Sequence, residues 1–196
     1  RQRQMCIRDR FHGKMGVVLF FAHYARYTDS AIYDDFAGEL LEEICENIPE
    51  TLPINLETGL CGIGWGIEYL IQNGFMEGDS NEILTEIDKK VMERDLRRIK
   101  DLSLETGLMG ISSYINIRIN NADITAIYTN FDDLFLLEWN LICNNKIILD
   151  KKQAILQIIG SFPKNEDIHS WEFGLHQGSS GYGLRWILEE TPVYSG

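Results

Sequence analysis

Two glutamates occupy equivalent places in a repeated triplet and are the first candidates for chemistry. The sequence Glu-Thr-Gly occurs at residues 57–59 and again at residues 105–107. A pair of carboxylates such as Glu57 and Glu105 can act as general acid and base, or bind a cationic peptide. The same triplet is typical of a helix start, where threonine caps the helix and glutamate interacts favourably with its dipole. Both interpretations follow from the same residues.

Two histidines lie beside glycines of the same kind. His12 directly precedes Gly13, and His176 lies two residues before Gly178. Histidine transfers protons near neutral pH, and its imidazole is a common zinc ligand. For His176 the alternative is a loop histidine that is hydrogen-bonded locally. The candidate catalytic residues are therefore these two histidines and the two glutamates.

The other residue types give no recognisable metal or cofactor site. Cys45, Cys61 and Cys143 are too few and too far apart for a disulfide framework or a Cys-x-x-Cys site. Cys61 lies two residues after a glycine at a predicted helix start, so we interpret it as a small buried residue. The glycines lack the spacing of phosphate-binding or dinucleotide-binding loops. No cofactor and no metal ligand is predicted in this chain.

Four Gly-x-x-Gly motifs organise the chain and must position the candidate residues. Their first glycines are Gly13, Gly59, Gly107 and Gly178, at steps of 46, 48 and 71 residues. Residues four apart lie on one helical face, so each motif is predicted to begin a helix with a buried stripe. The stripe residues, one and five places after each second glycine, are Val17, Phe21, Ile63, Ile67, Ile111, Ile115, Tyr182 and Trp186. The first glycine is expected to permit an unusual turn, and the second a close approach of a neighbouring helix.

The spacing of the motifs leaves room for a second helix in each repeat. Apolar periodicity and breakers predict helices at about residues 14–27, 31–48, 60–72, 79–94, 108–120, 131–143, 150–159 and 179–190. Strand patterns are absent from the sequence. The fold class is therefore predicted to be all-α and built from helical hairpins.

The glycine motifs resemble those of the lanthionine synthetase C-like family over roughly residues 11–188. The resemblance implies an α/α toroid, in which such motifs introduce the inner helices. A complete toroid of this family has about seven hairpins and this chain supplies about four, so we interpret it as a fragment. The resemblance also implies action on a ribosomally synthesised peptide. In the family, zinc activates a cysteine thiolate for addition to dehydrated serine or threonine.

The zinc ligands of the resembled enzymes have their own motifs. These are a Trp-Cys-x-Gly cysteine and a Cys-His-Gly pair, and neither occurs in this chain. His12 matches the family's His-Gly motif, and His176 stands where a ligand cysteine is expected. Without the ligands we expect a metal-free module that binds peptides or acts as a scaffold. Thioether cyclisation would require that missing repeats supply the zinc ligands.

A glycoside-processing α/α barrel is a second enzyme class that the repeat allows. In that case Glu57 and Glu105 form the catalytic pair, with carboxyl groups about 5–10 Å apart. Trp65, Tyr69 and Trp186 lie on predicted inner helices, and we interpret them as core residues. Aromatic residues that line such a barrel can also stack on sugars, so this alternative stays open.

Charge and composition limit the partners. The formal net charge of −12 argues against nucleic acid and anionic membranes, and it suits a cationic peptide. No apolar run reaches the roughly 20 residues of a membrane span. A cytoplasmic location is expected, and association with other biosynthetic enzymes is compatible with this class. Residues 1–10 are Arg-rich without apolar periodicity, so they are interpreted as a non-native tail that precedes a toroid domain at residues 11–196.

Overall fold

The computed structural model describes residues 13–49, 51–120, 129–142, 151–162 and 173–190. These ranges hold nine α-helices and a short 3-10 turn at Leu96–Arg98, and they contain no β-strand. The prediction of an all-α fold is confirmed. The helices are α1 Lys14–Thr28, α2 Ala31–Glu46, α3 Leu60–Gln72, α4 Ser80–Ile83, α5 Thr85–Met92, α6 Leu108–Asn120, α7 Asp133–Ile142, α8 Lys151–Ile159 and α9 Ser179–Glu190. None of the described helices is long and apolar enough to cross a membrane.

The chain forms two compact units. The first comprises Arg1–Glu50 and Lys152–Gly196, and the second comprises Thr51–Lys151. Candidate residue His12 and the Arg-rich tail lie outside the described residues.

In the first unit α1 packs against both α2 and α9. Its buried face includes Val18 and Leu19, which are 1% and 0% exposed. Gly183 lets α9 approach α1 closely, because a Cβ atom there would lie 2.6 Å from Cε2 of Phe20. The first unit is therefore held by helix contacts between segments that are distant in the sequence.

In the second unit α3 is the central helix. Every residue from Leu60 to Leu70 is buried, and α3 packs against α4, α5 and α6. A helix that is apolar on all sides is expected in the interior. The predicted stripes of α3 and α6 are confirmed, because Ile63, Ile67, Ile111 and Ile115 are all buried.

The same stripe prediction is wrong for α9 and only partly right for α1. Tyr182 and Trp186 are 43% and 47% exposed. The buried residues of α9 include Gly181, Leu184 and Ile187, which are three residues apart. Helix α9 therefore buries a different face from α3 and α6. On α1, Val17 and Phe21 are half-buried.

The helix predicted at residues 79–94 is interrupted. It divides into α4 and α5 at Leu84, which is fully buried. The Asn81 carbonyl accepts hydrogen bonds from the Thr85 hydroxyl at 2.6 Å and from Nδ2 of Asn130 at 2.7 Å. Side chains that bond a helix carbonyl compete with the regular backbone ladder, which accounts for the break.

Candidate functional site

Each motif glycine directly precedes a helix, as predicted. Gly13, Gly59, Gly107 and Gly178 come immediately before α1, α3, α6 and α9. The reason differs from the expected one, because Gly59 has extended backbone angles of φ −129° and ψ −168°. A Cβ atom at Gly59 would lie 2.1 Å from the Pro53 carbonyl oxygen. Close approach of the preceding loop therefore requires glycine here, rather than an unusual turn.

The second glycines also make room for the loop that precedes their helix. A Cβ atom at Gly110 would lie 2.2 Å from the Leu104 oxygen and 2.7 Å from Cβ of Leu56. At Gly181 the nearest atom would be the Leu175 oxygen at 1.8 Å. The expected contact with a neighbouring helix is thus replaced, at these two positions, by a contact with the chain six residues earlier.

The loops before α3 and α6 are built in the same way. The amide of Leu60 donates to the Pro53 carbonyl at 2.8 Å, and that of Leu108 donates to the Asp101 carbonyl at 2.9 Å. The two donors are 48 residues apart, and so are the two acceptors, which is also the step between the two motifs. The sequence repeat is therefore also a repeat of backbone geometry.

The threonines of the two triplets stabilise these loops instead of capping helices. The Thr58 hydroxyl donates to Oδ1 of Asn55 at 3.1 Å, and the Thr106 hydroxyl donates to Oδ2 of Asp101 at 2.6 Å. Gly59 is the N-cap of α3, and no side chain caps that helix. The prediction of threonine caps is wrong at α3, because the hydroxyl is already used within the loop.

The two loops are joined through the candidate glutamates. The backbone amide of Glu57 donates to the carbonyl of Glu105 at 2.9 Å. Both glutamates are half-buried. A backbone hydrogen bond thus joins two carboxylate-bearing loops of the second unit, each at a helix start. We call residues 55–59 and 103–107 the paired glycine loops.

A third carboxylate borders the paired glycine loops. Hydrogen bonds from the hydroxyl of Thr106 and from Ser103 hold the pKa of Asp101 below its ordinary value. Asp101 is therefore ionised at neutral pH. Its carboxylate accepts the hydrogen bond of the Thr106 hydroxyl, in the second of the paired glycine loops.

His176 lies in the first unit, whereas Glu57 and Glu105 lie in the second. Its Nδ1 atom is 2.8 Å from the Ile158 carbonyl at the end of α8. Because a carbonyl only accepts hydrogen bonds, Nδ1 must be the donor. This hydrogen bond agrees with the interpretation of His176 as a loop histidine that is bonded locally.

Neighbours of His176 bind the same helix end. The amide of Gln177 donates to the Ile159 carbonyl at 3.0 Å, and Nη1 of Arg185 donates to the Gly160 carbonyl at 3.0 Å. The last carbonyls of a helix lack partners within it. His176 therefore helps to satisfy the C-terminus of α8 and to fix the loop before α9.

The described residues do not fit a zinc site. No group of three His, Cys, Asp or Glu side chains in this part of the chain could hold a metal ion. Cys61 is fully buried, as predicted, and burial together with the negative charge of Asp88 raises the pKa of its thiol. A buried thiol of raised pKa is a poor source of the thiolate that zinc requires.

The predicted core aromatics divide into two groups. Trp65 and Tyr69 are 1% and 2% exposed, which confirms the prediction for α3. Trp186 is 47% exposed, so the prediction for α9 is wrong. Because Trp65 and Tyr69 are enclosed by the second unit, they cannot stack on a sugar at the surface. This removes one support for the glycosidase alternative.

A buried ionic network in the second unit was missed by the sequence analysis. Arg118 of α6 is 2% exposed, and Glu68 of α3 and Asp88 of α5 are fully buried. The partners of the Arg118 guanidinium are Glu68 Oε2 at 2.6 Å, Asp88 Oδ2 at 2.7 Å, Asn81 Oδ1 at 2.9 Å and Ser80 Oγ at 3.0 Å. The Tyr114 hydroxyl donates to Asp88 Oδ1 at 2.5 Å. We call these residues the Arg118 network.

Electrostatics within the Arg118 network favour the charged arginine. Burial alone lowers the pKa of Arg118, but its hydrogen bond and attraction to Asp88 outweigh burial and raise the pKa above the ordinary value. Burial and the Asp88 charge raise the pKa of Tyr114 well above its usual range. The network therefore links α3, α4, α5 and α6 through one cation. A charged residue within an apolar stripe, such as Asp88 between Leu84 and Val91, was the available signal.

Comparison of the chain with protein-family models, with curated proteins and with solved structures gave no match.

Proposed function

We propose that this chain is a lanthionine synthetase C-like helical toroid that binds a ribosomally synthesised peptide at its paired glycine loops. The observation that carries the proposal is the 2.9 Å backbone hydrogen bond between Glu57 and Glu105, which joins two equivalent helix-start loops. The proposal places the protein in the cytoplasm, alongside other enzymes of peptide biosynthesis.

The loops offer complementary groups to an extended peptide. Glu57 and Glu105 supply carboxylates for lysine, arginine or a free amino terminus, and Asp101 adds a third negative charge nearby. The starts of α3 and α6 carry positive dipole ends, which favour the carbonyl groups or carboxylates of a ligand. Alternating charges of this kind suit a peptide with both basic side chains and an exposed main chain.

Peptide binding is the activity we assign to this chain, and thioether cyclisation is not part of the assignment. The described residues do not fit zinc, so no catalytic step through a metal ion is derived from them. Thioether cyclisation would need zinc ligands that the described residues do not supply.

Direct binding tests the proposal. A fluorescein-labelled decapeptide of lysine, serine, glycine and cysteine is titrated with the protein, and fluorescence anisotropy gives the Kd. We expect Glu57→Gln combined with Glu105→Gln to weaken binding about tenfold, since two carboxylates lose their charge at the ligand.

The matched control removes two exposed carboxylates elsewhere in the same unit. Glu82→Gln with Glu86→Gln makes the same change of net charge on α4 and α5. If both double variants weaken binding equally, the peptide responds to the overall negative charge of the protein and not to the loops, which would contradict the proposal. Hydrolysis of a nitrophenyl glycoside that Glu57→Gln with Glu105→Gln abolishes would instead favour the glycosidase alternative.

A further inference from the structure

Aromatic side chains of the first unit form a band that reaches the surface. Trp186 of α9 contacts Tyr27 of α1 edge-on, with ring centroids 5.5 Å apart. On the other flank of α1, Phe21 contacts Phe36 of α2 edge-on at 4.9 Å. The band therefore crosses three neighbouring helices.

Half-buried rings continue from the Phe21–Phe36 pair along α1, where Phe20 contacts Phe21 edge-on at 5.0 Å. Phe20 stacks on Tyr24 at 5.5 Å, and Tyr24 meets Tyr33 of α2 at 4.8 Å. Phe20, Tyr24 and Tyr27 lie four and three residues apart, so they share one face of α1. The aromatic surface is defined by these rings together with Phe21, Phe36, Trp186 and Ile32.

Several members of the aromatic surface are open to solvent. Trp186, Tyr27 and Phe36 are 47%, 45% and 41% exposed, and Ile32 is 76% exposed. A contiguous apolar patch of this kind is a mark of an interaction site, whereas isolated exposed apolar residues are ordinary. Ring contacts join Phe36 through Phe21 to Tyr33 and Tyr24, and Tyr27 shares the face of α1 that carries Tyr24.

Helix α2 surrounds the exposed apolar residues with negative charge. It contains six carboxylates and no lysine or arginine, and Ala37 and Ile44 are its buried residues. Asp35 and Glu39 follow Ile32 and Phe36 by three residues, so each carboxylate lies beside an apolar side chain. Both acidic residues are exposed.

This combination selects the occupant. We propose that the aromatic surface binds a cationic amphipathic helix of a partner protein, with its apolar side chains on Ile32, Phe36 and Trp186 and its lysines or arginines on the α2 carboxylates. Such a helix matches both the exposed apolar side chains of the aromatic surface and the carboxylates beside them. Its cations can also contact aromatic faces. A second copy of the chain is disfavoured, because each copy has a net charge of −12.

A designed peptide tests this surface. The probe is a fluorescein-labelled amphipathic helix of lysine and leucine, and a glutamate and leucine peptide of the same pattern is the charge-reversed probe. Binding is measured by anisotropy at low and at moderate NaCl concentration. We expect the lysine peptide to bind, the glutamate peptide not to bind, and added salt to weaken the lysine complex.

Two variants separate the apolar and the ionic contributions. Ile32→Ser with Phe36→Ser should weaken binding of the lysine peptide about tenfold, because apolar area is lost from the interface. Asp35→Asn with Glu39→Gln should weaken it about three- to tenfold at low salt and less at moderate salt. The second variant leaves the ring contacts intact, so it keeps the test valid if the first lowers stability.

Matched controls come from the second unit. Leu134→Ser with Leu137→Ser removes two residues of α7 that are 77% and 58% exposed, and Glu82→Gln with Glu86→Gln removes two exposed charges. We expect neither control to change the Kd by more than about twofold. Equal losses in controls and surface variants would overturn the proposal, as would unchanged binding in both surface variants.

Two other occupants of the aromatic surface, a sugar and a second copy of the chain, would give different results. Displacement of the lysine peptide by a neutral oligosaccharide would identify a sugar-stacking surface and overturn the proposal. A dimer in sedimentation velocity that Phe36→Ser abolishes would identify a second copy as the occupant. The proposed function is tested with a different peptide and with variants of the paired glycine loops, so this inference fails or holds separately from it.

Discussion

Replacing Arg118 by methionine is the sharpest test of how the second unit is held together. The substitution keeps the length and apolar stem of the side chain but removes the cation that joins Glu68 and Asp88. Both carboxylates are fully buried and would lose their charged partner. Removing one member of a buried ion pair typically costs about 3–5 kcal/mol, because an uncompensated charge is left in the interior.

The expected loss is large on the scale of protein stability. The free energy of unfolding of natural domains is about 5–15 kcal/mol, so Arg118→Met should remove a large fraction of it. For a chain of this size the melting temperature should fall by about 6–20 °C. Urea unfolding followed by circular dichroism measures the midpoint and the slope.

Arg97 supplies the matched control. It also pairs with two carboxylates, Asp95 at 2.9 Å and Glu138 at 3.6 Å, but its side chain is 63% exposed. Exposed ion pairs contribute little to stability because both charges stay solvated, so Arg97→Met should change stability little. If Arg118→Met costs less than about 1 kcal/mol, or no more than Arg97→Met, the reasoning about the network is wrong.

Three further predictions concern the glycine motifs, one histidine and one cysteine. Gly59→Ala should destabilise the protein by more than about 2 kcal/mol in urea unfolding, because its Cβ atom would lie 2.1 Å from a carbonyl oxygen. Gly38→Ala is the control and should stabilise α2 by about 0.5–1 kcal/mol, since nothing lies within 4 Å of the new atom. Burial and then Arg26 lower the pKa of His23 from 6.5 to about 4, so between these values the unfolded chain binds more protons and stability falls as the pH falls. His23→Gln should remove up to about 3 kcal/mol of this fall in the free energy of unfolding. If the free energy of unfolding of both proteins changes in parallel with pH, this account is contradicted. In a chain with serine at the other cysteines, Cys61 should react with a thiol reagent only after unfolding, since it is fully buried with a raised thiol pKa; rapid labelling of the native protein would refute this.

The repeated glycine motifs carried most of the information about the fold. They located four helix starts because the first glycine must leave room for the preceding loop, since a Cβ atom at Gly59 or Gly107 would meet a backbone carbonyl six residues earlier. This restriction is local in sequence and recurs with the motif, so it can be recognised without a structure. The backbone hydrogen bond between Glu57 and Glu105 joins equivalent positions of the same repeat.

Features that depend on contacts between distant segments could not be predicted in this way. The apolar spacing of Tyr182 and Trp186 matched that of the α3 stripe, but α9 packs on α1 through Gly183 and buries another face. The Arg118 network joins residues up to 50 positions apart, and charged residues in sequence are ordinarily expected at the surface. The division of α4 from α5 depends partly on Asn130, which is 49 residues from the carbonyl that it binds.

The position of a bound peptide on the protein tests the central claim most directly. Amide signals of isotope-labelled protein are followed by two-dimensional NMR during titration with the lysine, serine, glycine and cysteine peptide. We predict that the largest shifts fall on residues 55–59 and 103–107, and that Glu57→Gln with Glu105→Gln abolishes them at the same peptide concentration. Shifts that are absent from the paired glycine loops, or that persist unchanged in this variant, would contradict the proposed function.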